Sequence, residues 1–157
     1  MIKFLGKYRR WASSVINERL LGVRGLVYEL DTPDFYHPQK LQFIFSNPEG
    51  LVNFVCGKDG STLELTDSPI HESDLGEYGN EVIMDMSKFA LFIDYAGKEL
   101  LETYSIFSSI ENSYVGIKLV FEGDLNLILV NVGDEINIFN SLPLSYEYDE
   151  GIKYQLL

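Results

Sequence analysis

Three glycine–aspartate pairs, each set beside apolar runs, constrain this chain more than any other feature. Lys58-Asp-Gly60 separates Leu51–Cys56 from Ser61–Leu65, Gly123-Asp124 separates Tyr114–Phe121 from Leu125–Val132, and Gly133-Asp134 precedes Ile136–Phe139. Such pairs supply the positive φ that a tight hairpin turn needs, so each predicts two adjacent antiparallel strands. Val23–Leu30, Leu41–Phe45, Glu81–Met86 and a last segment around Ile152–Leu156 also read as strands. Strands that follow one another through short turns predict an antiparallel meander.

The N-terminal segment has a different period. Phe4, Tyr8, Trp11 and Val15, backed by Leu5, Ala12, Ile16 and Leu20, recur three and four residues apart, with Arg9, Arg10, Ser13, Ser14 and Asn17 opposite. This predicts an amphipathic helix over residues 3–20, ending near Gly22. Its apolar face is expected to pack on the sheet; the competing reading is a basic helix lying on a membrane. Asp31–Pro38 and residues 66–81, rich in Pro, Gly and acids, read as surface loops. A second helix is expected from about Gly97 to Ile110, because Ala96, Leu100, Tyr104 and Phe107 keep helical spacing; residues 88–96 fit helix or strand equally.

The apolar runs also repeat weakly. Leu41-Gln-Phe-Ile-Phe45 and Ile117-Lys-Leu-Val-Phe121 each precede a second apolar strand, a turn with Gly and Asp, a short strand (Leu63-Glu-Leu65, Ile136-Asn-Ile138) and a Pro beside an aliphatic residue (Pro69-Ile70, Pro143-Leu144). A helix is expected before each set. Internal duplication and convergent meander patterning both account for the match. The expected architecture is therefore α+β: one domain over residues 1–157, antiparallel meander sheets with two helices, with two similar halves as an open alternative.

Composition narrows the function. The chain has 157 residues, 46% of them hydrophobic, enough for a real core. Its net charge is −12 and very uneven: six bases against Glu18 give the first 24 residues +5, and six bases against 23 acids leave the remainder at −17. Such a body repels phosphate backbones and anionic headgroups and attracts a basic partner, so neither nucleic acid nor membrane is an expected partner. Cys56 is the single cysteine, and charges interrupt the apolar residues at the start as no secretory signal would allow, so the expected location is the reducing cytoplasm.

No constellation of catalytic residues stands out. Alternation places Cys56 on the strand face of Val52 and Phe54, a core position, and the only candidate bases for it are His37 and His71. His71-Glu-Ser-Asp74, with Asp67 and Glu77, offers oxygen and imidazole donors, but the spacing is not that of a calcium loop or another metal cage. Gly22 and Gly25 lack the further glycine and helix start of a nucleotide-binding loop. No cofactor, metal or catalytic residue is expected. A small hydrolase or ligand-binding enzyme would need paired carboxylates that only a fold could reveal.

The surface carries the signal. From Asp59 to Ser87 there is no Lys or Arg, while Asp67, Glu72, Asp74, Glu77 and Glu81 gather around Tyr78. A second patch, Tyr146-Glu-Tyr-Asp-Glu150, interleaves aromatics and acids. Acids alone keep a protein soluble; tyrosines among them add anchoring area for a partner rich in Arg and Lys. The stretch Gly116-Ile-Lys-Leu-Val-Phe-Glu-Gly123, continuing from Leu125 through Asn131-Val-Gly-Asp-Glu-Ile-Asn-Ile138, resembles strand–turn–strand blocks of small acidic bacterial immunity proteins, including those of contact-dependent inhibition. That resemblance implies a non-catalytic protein that binds and neutralises a cognate toxin, often a basic nuclease, and it carries over no binding residue. The expected contact residues are Asp67, Glu72, Asp74, Glu77, Tyr78, Glu81, Tyr146, Glu147, Tyr148 and Asp149. A general interaction adaptor is a further alternative, and the oligomeric state, monomer or dimer, is left open.

Overall fold

The computed structural model describes residues 2–157, and the side chains of all of these except 2–4 and 50. The chain begins with helix α1 (Ile2–Val15) and then builds two antiparallel sheets. The first contains β1 (Leu20–Leu30), β2 (Thr32–Pro33), β3 (Lys40–Phe45), β4 (Asn53–Cys56), β5 (Leu63–Thr66), β6 (Ser73–Asp74) and β7 (Asn80–Asp85). Its order is β5-β4-β3-β1-β7-β6, with β2 folded back on β1. The second contains β8 (Leu100–Ser108), β9 (Ser113–Phe121), β10 (Leu125–Val132), β11 (Glu135–Phe139) and β12 (Ile152–Leu156), in the order β11-β10-β9-β8-β12. Helix α2 (Leu144–Glu150) precedes β12. The fold is α+β with antiparallel sheets, as the turn chemistry predicts.

The two halves follow one path. β1, β3, β4 and β5 form a meander, and β7 returns to pair with β1; β8, β9, β10 and β11 form another, and β12 returns to pair with β8. The paired motifs of the sequence occupy equivalent places: second strand (β3, β9), fourth strand (β5, β11) and the start of the return crossing. One part of the expected repeat is corrected. No α-helix precedes the second meander among the described residues, and β8 is the counterpart of β1.

The sheets face each other across one core. β3 contributes Leu41, Phe43 and Phe45, β4 Phe54, β9 Ile117, Leu119 and Phe121, and β10 Leu127 and Leu129, all buried. Phe45 of the first sheet stacks on Phe121 of the second with ring centroids 6.5 Å apart. Helix α1 enters the same core through Tyr8, Trp11, Ala12 and Val15; the Trp11 ring meets Phe54 edge-on at 5.2 Å, and the Tyr8 hydroxyl donates to the Leu63 carbonyl at 2.5 Å. The apolar face of α1 therefore packs inside the domain. Phe4, expected on that face, lies outside the described side chains. Among the described residues no helix is long and apolar enough to cross a membrane.

Three expectations are corrected. Helix α1 ends at Val15, because Asn17 adopts a left-handed φ of 66° and turns the chain into β1; Asn17 N–H then bonds the Leu100 carbonyl at 2.7 Å. Residues 100–108 form a central strand, where a helix is expected. A β-bulge between Leu100 and Glu102 inserts Leu101 into β8 and breaks its two-residue alternation. Core on both faces buries Leu100 and Ile106 alike, so the apolar spacing imitates a helix. The irregularity after Ile106 places its extra residue, Val115, on β9. The second helix lies instead at Leu144–Glu150, within the segment read as an acidic patch. Residues 88–96, open in sequence, are turns with a short 3-10 segment at Ile93–Tyr95 that buries Phe92 and Tyr95.

Removing the Trp11 ring leaves a cavity between α1 and the first sheet. Trp11→Ala is expected to cost about 3–5 kcal/mol, read as a lowered midpoint in chemical unfolding. An unchanged midpoint would place the ring outside the core.

Candidate protein-binding surface

Each meander ends at the edge of its sheet far from the strand that follows, so the chain must cross a sheet face to continue. The core fills the inner faces, which sends both crossings over the outer faces. In the first sheet the outer face carries a polar row: Arg24 bonds Gln42 Oε1 through Nε and Nη2 at 3.1 and 2.6 Å, Gln42 Nε2 donates to Asn53 Oδ1 at 2.8 Å, and Asn53 Nδ2 donates to the Ser68 carbonyl at 2.5 Å. Gln42 and Asn53 are buried and satisfied by this chain of bonds, which ties residues 67–72 down as a strap. In the second sheet, Leu142, Tyr146 and Ile152 cover Ile106, Val115, Ile128 and Val130 on the outer face.

The two acidic segments expected from sequence are these crossings and their continuations. They lie on faces that point away from each other, so no single flat contact spans both. Asp67, Glu72, Asp74, Glu77 and Tyr78 are exposed, and Glu81 is half-buried. Glu72 Oε2 accepts the Ile83 amide at 2.9 Å, Asp74 Oδ1 accepts the Gly76 amide at 2.9 Å, and the Tyr28 hydroxyl donates to the Tyr78 carbonyl. Part of the second segment works within the fold. Tyr146 is half-buried, burial and the nearby Glu150 push its hydroxyl up to about 12, and Glu147 Oε2 accepts the Tyr154 hydroxyl at 2.8 Å. Tyr148 and Asp149 remain exposed.

Folding adds acids that sequence spacing alone did not group. Glu29 pairs with Asn80 and Tyr28 with Glu81 across β1 and β7, so Glu29, Asp31 and Asp34 join Asp74, Glu77 and Glu81 at one end of the first sheet. The Asp31 hairpin was the available signal, since an acid at a left-handed position (φ 67°) ends a strand there and reverses the chain.

Other candidate chemistry is not assembled. Cys56 is half-buried at the core margin, and burial, with Asp134 and Glu135 nearby, raises its thiol to about 11, the direction opposite to an activated nucleophile. His37 Nδ1 lies 3.3 Å from Asp34 and its Nε2 3.8 Å from Glu135; His71 is exposed. Among the described residues no three His, Cys, Asp or Glu side chains converge as a metal site. Every Asp and Glu is at least partly exposed, and Asp59, Asp85 and Glu122 are held below the usual carboxylate range by hydrogen bonds from Thr62, Ser87 and the Glu99 amide respectively. A groove of about 440 Å³ runs between α1 and β5, where Lys7 and Arg10 stand with Glu49 and Asp67 beside the Trp11 ring.

Comparison with protein-family models, with curated proteins and with solved structures finds no significant match to this chain.

The raised Cys56 thiol sets a pH dependence. The folded chain holds this proton above the ordinary pKa of 9.0, so the associated stability is complete below pH 9 and is lost as pH climbs toward 11. Cys56→Ala should lose less stability than wild type across that window. Alkylation at pH 8 should run at least about tenfold slower in the folded chain than in denaturant, because few thiols are ionised and half the group is covered. Equal alkylation rates would contradict the buried, protonated thiol.

Proposed function

We propose that this chain is a non-catalytic immunity or inhibitor protein of the cytoplasm that binds a cognate basic toxin, of nuclease type, and neutralises it by covering its positively charged substrate face. The observation that supports this reading best is the acidic β1–β7 corner of the first sheet, where exposed carboxylates surround Tyr78 in a stretch, Asp59 to Ser87, without Lys or Arg. Carboxylates held on a rigid frame imitate the charge of a phosphate backbone and compete where a nuclease is most positive. The hydrolase alternative calls for two close, buried carboxylates; Glu49 and Asp67, which line the groove beside α1, are both exposed. The chain also places its own cations together: Lys7, Arg9 and Arg10 are exposed on the outward side of α1.

Charge governs the kinetics of such a pair. Reversing Asp67, Glu72, Asp74 and Glu77 to Lys should leave the fold in place at a small cost in stability from the lost Glu72–Ile83 and Asp74–Gly76 bonds, slow association by about 10–10³-fold at low salt, and flatten the salt dependence. The direct test is co-expression with a candidate toxic nuclease domain drawn from a neighbouring gene. Restored growth and a stable complex are expected; undiminished toxicity beside a folded, abundant chain would overturn the reading.

A further inference from the structure

The acidic end of the first sheet also carries apolar groups that the core does not use. β1 runs out through Tyr28, Glu29 and Leu30 before reversing at Asp31, and β7 begins at Asn80 beside it. Between β6 and β7 the chain makes a 3-10 turn, Gly76–Tyr78, closed by Gly79 at a φ of 97°. A Cβ on Gly79 would strike the Glu29 carbonyl oxygen and come within 3.2 Å of the Leu30 Cβ, so the turn is seated directly on the end of β1. The Leu75 amide donates to the Gly79 carbonyl at 2.9 Å, and Tyr28 holds the Tyr78 carbonyl. Leu30, Leu75 and Tyr78 are thereby gathered around Gly79 with 49%, 40% and 69% of their surfaces exposed.

The charged side chains on the segments that build this patch, the end of β1 with its reversal and the β6–β7 turn, are all acidic. Glu29, Asp31, Asp74, Glu77 and Glu81 border it, and there is no Lys or Arg from Gly25 to Gln39 or from Asp59 to Ser87. Helix α2 offers the competing patch, Leu144 and Tyr148, exposed at 82% and 87%. Its surroundings are mixed: Glu147 and Glu150 are engaged by Tyr154 and Ser108, and Lys118 lies over the Tyr154 ring at 5.2 Å. A turn whose backbone is held on both sides loses little main-chain freedom on binding, and a central apolar anchor inside a polar rim is the arrangement that concentrates binding energy.

Building on the binding function above, we infer that the Gly79 turn is the docking surface: Leu30, Leu75 and Tyr78 receive an apolar side chain from a protein partner whose rim of Arg and Lys meets Glu29, Asp31, Asp74, Glu77 and Glu81. The apolar contact governs dissociation, and the rim governs approach. Helix α2 stays outside the contact.

The test uses the full chain and a synthetic helical peptide with leucines on one face flanked by arginines, followed by amide NMR shifts and calorimetry at two salt concentrations. Shifts are expected at residues 28–36 and 74–82. The Leu30→Ser/Tyr78→Ser double variant should bind at least tenfold more weakly at both salt concentrations, while Asp74→Asn/Glu77→Gln should mainly reduce the salt dependence. Shifts centred on 144–149, shifts scattered over all acids, or unchanged affinity in the double variant would overturn the surface. Concentration-dependent shifts of the turn in the free chain would overturn it in favour of a second copy. A toxin that is neutralised while the turn stays unshifted in the complex would overturn this surface and leave the immunity reading standing. Peptide docking at the turn without neutralisation of the toxin would support the surface and overturn that reading.

Discussion

The stack of Phe45 on Phe121 joins the two sheets, and the remaining architecture is arranged around it. Tyr95 packs edge-on against Phe121 at 5.4 Å and donates to the Asn126 carbonyl, closing one side of the contact. Trp11 packs against Phe45 at 6.2 Å and Phe54 at 5.2 Å, closing the other with α1. Aromatic rings in these edge and offset geometries bury large areas and constrain orientation, so they set how the sheets face each other as well as how strongly they adhere. With both inner faces committed to that core, the crossing segments have only the outer faces to use.

The surface features follow from this constraint. Two equivalent meanders impose two equivalent crossings, and the crossings carry the acidic segments. They are anchored differently. The first is tied by polar side chains, Arg24 to Gln42 to Asn53 to Ser68, and its continuation ends in a turn locked on β1 by Gly79. The second is a short helix pinned by apolar packing of Leu142 and Tyr146. Equivalent topology thus produces one crossing whose acids stay exposed and one whose Tyr146, Glu147 and Glu150 serve the fold.

Much of the sheet was legible in sequence because hairpin turns are local. The Gly123-Asp124 and Gly133-Asp134 pairs both adopt the positive φ values expected of them, and β9 to β12 lie within a residue of their expected limits. β8 was not legible, since its bulge at Leu101 depends on pairing with β9 and burial on both faces leaves an apolar spacing that matches a helix. Helix α2 was hidden by its brevity, and only the apolar surface of the second sheet, assembled from distant residues, gives it something to pack on. The binding surface was legible in part. Tyr78 and its acids share a stretch of sequence, but Glu29, Leu30 and Asp31 reach them only through β1–β7 pairing.

A preformed docking surface must hold the Tyr78 turn in a fixed position before any partner arrives. Backbone ¹⁵N relaxation of the free chain measures this directly at residues 75–80. Order parameters near 0.85, as in a rigid sheet, are the predicted result. Values below about 0.6, with Tyr78 moving freely of Glu29 and Tyr28, would contradict a preformed docking surface.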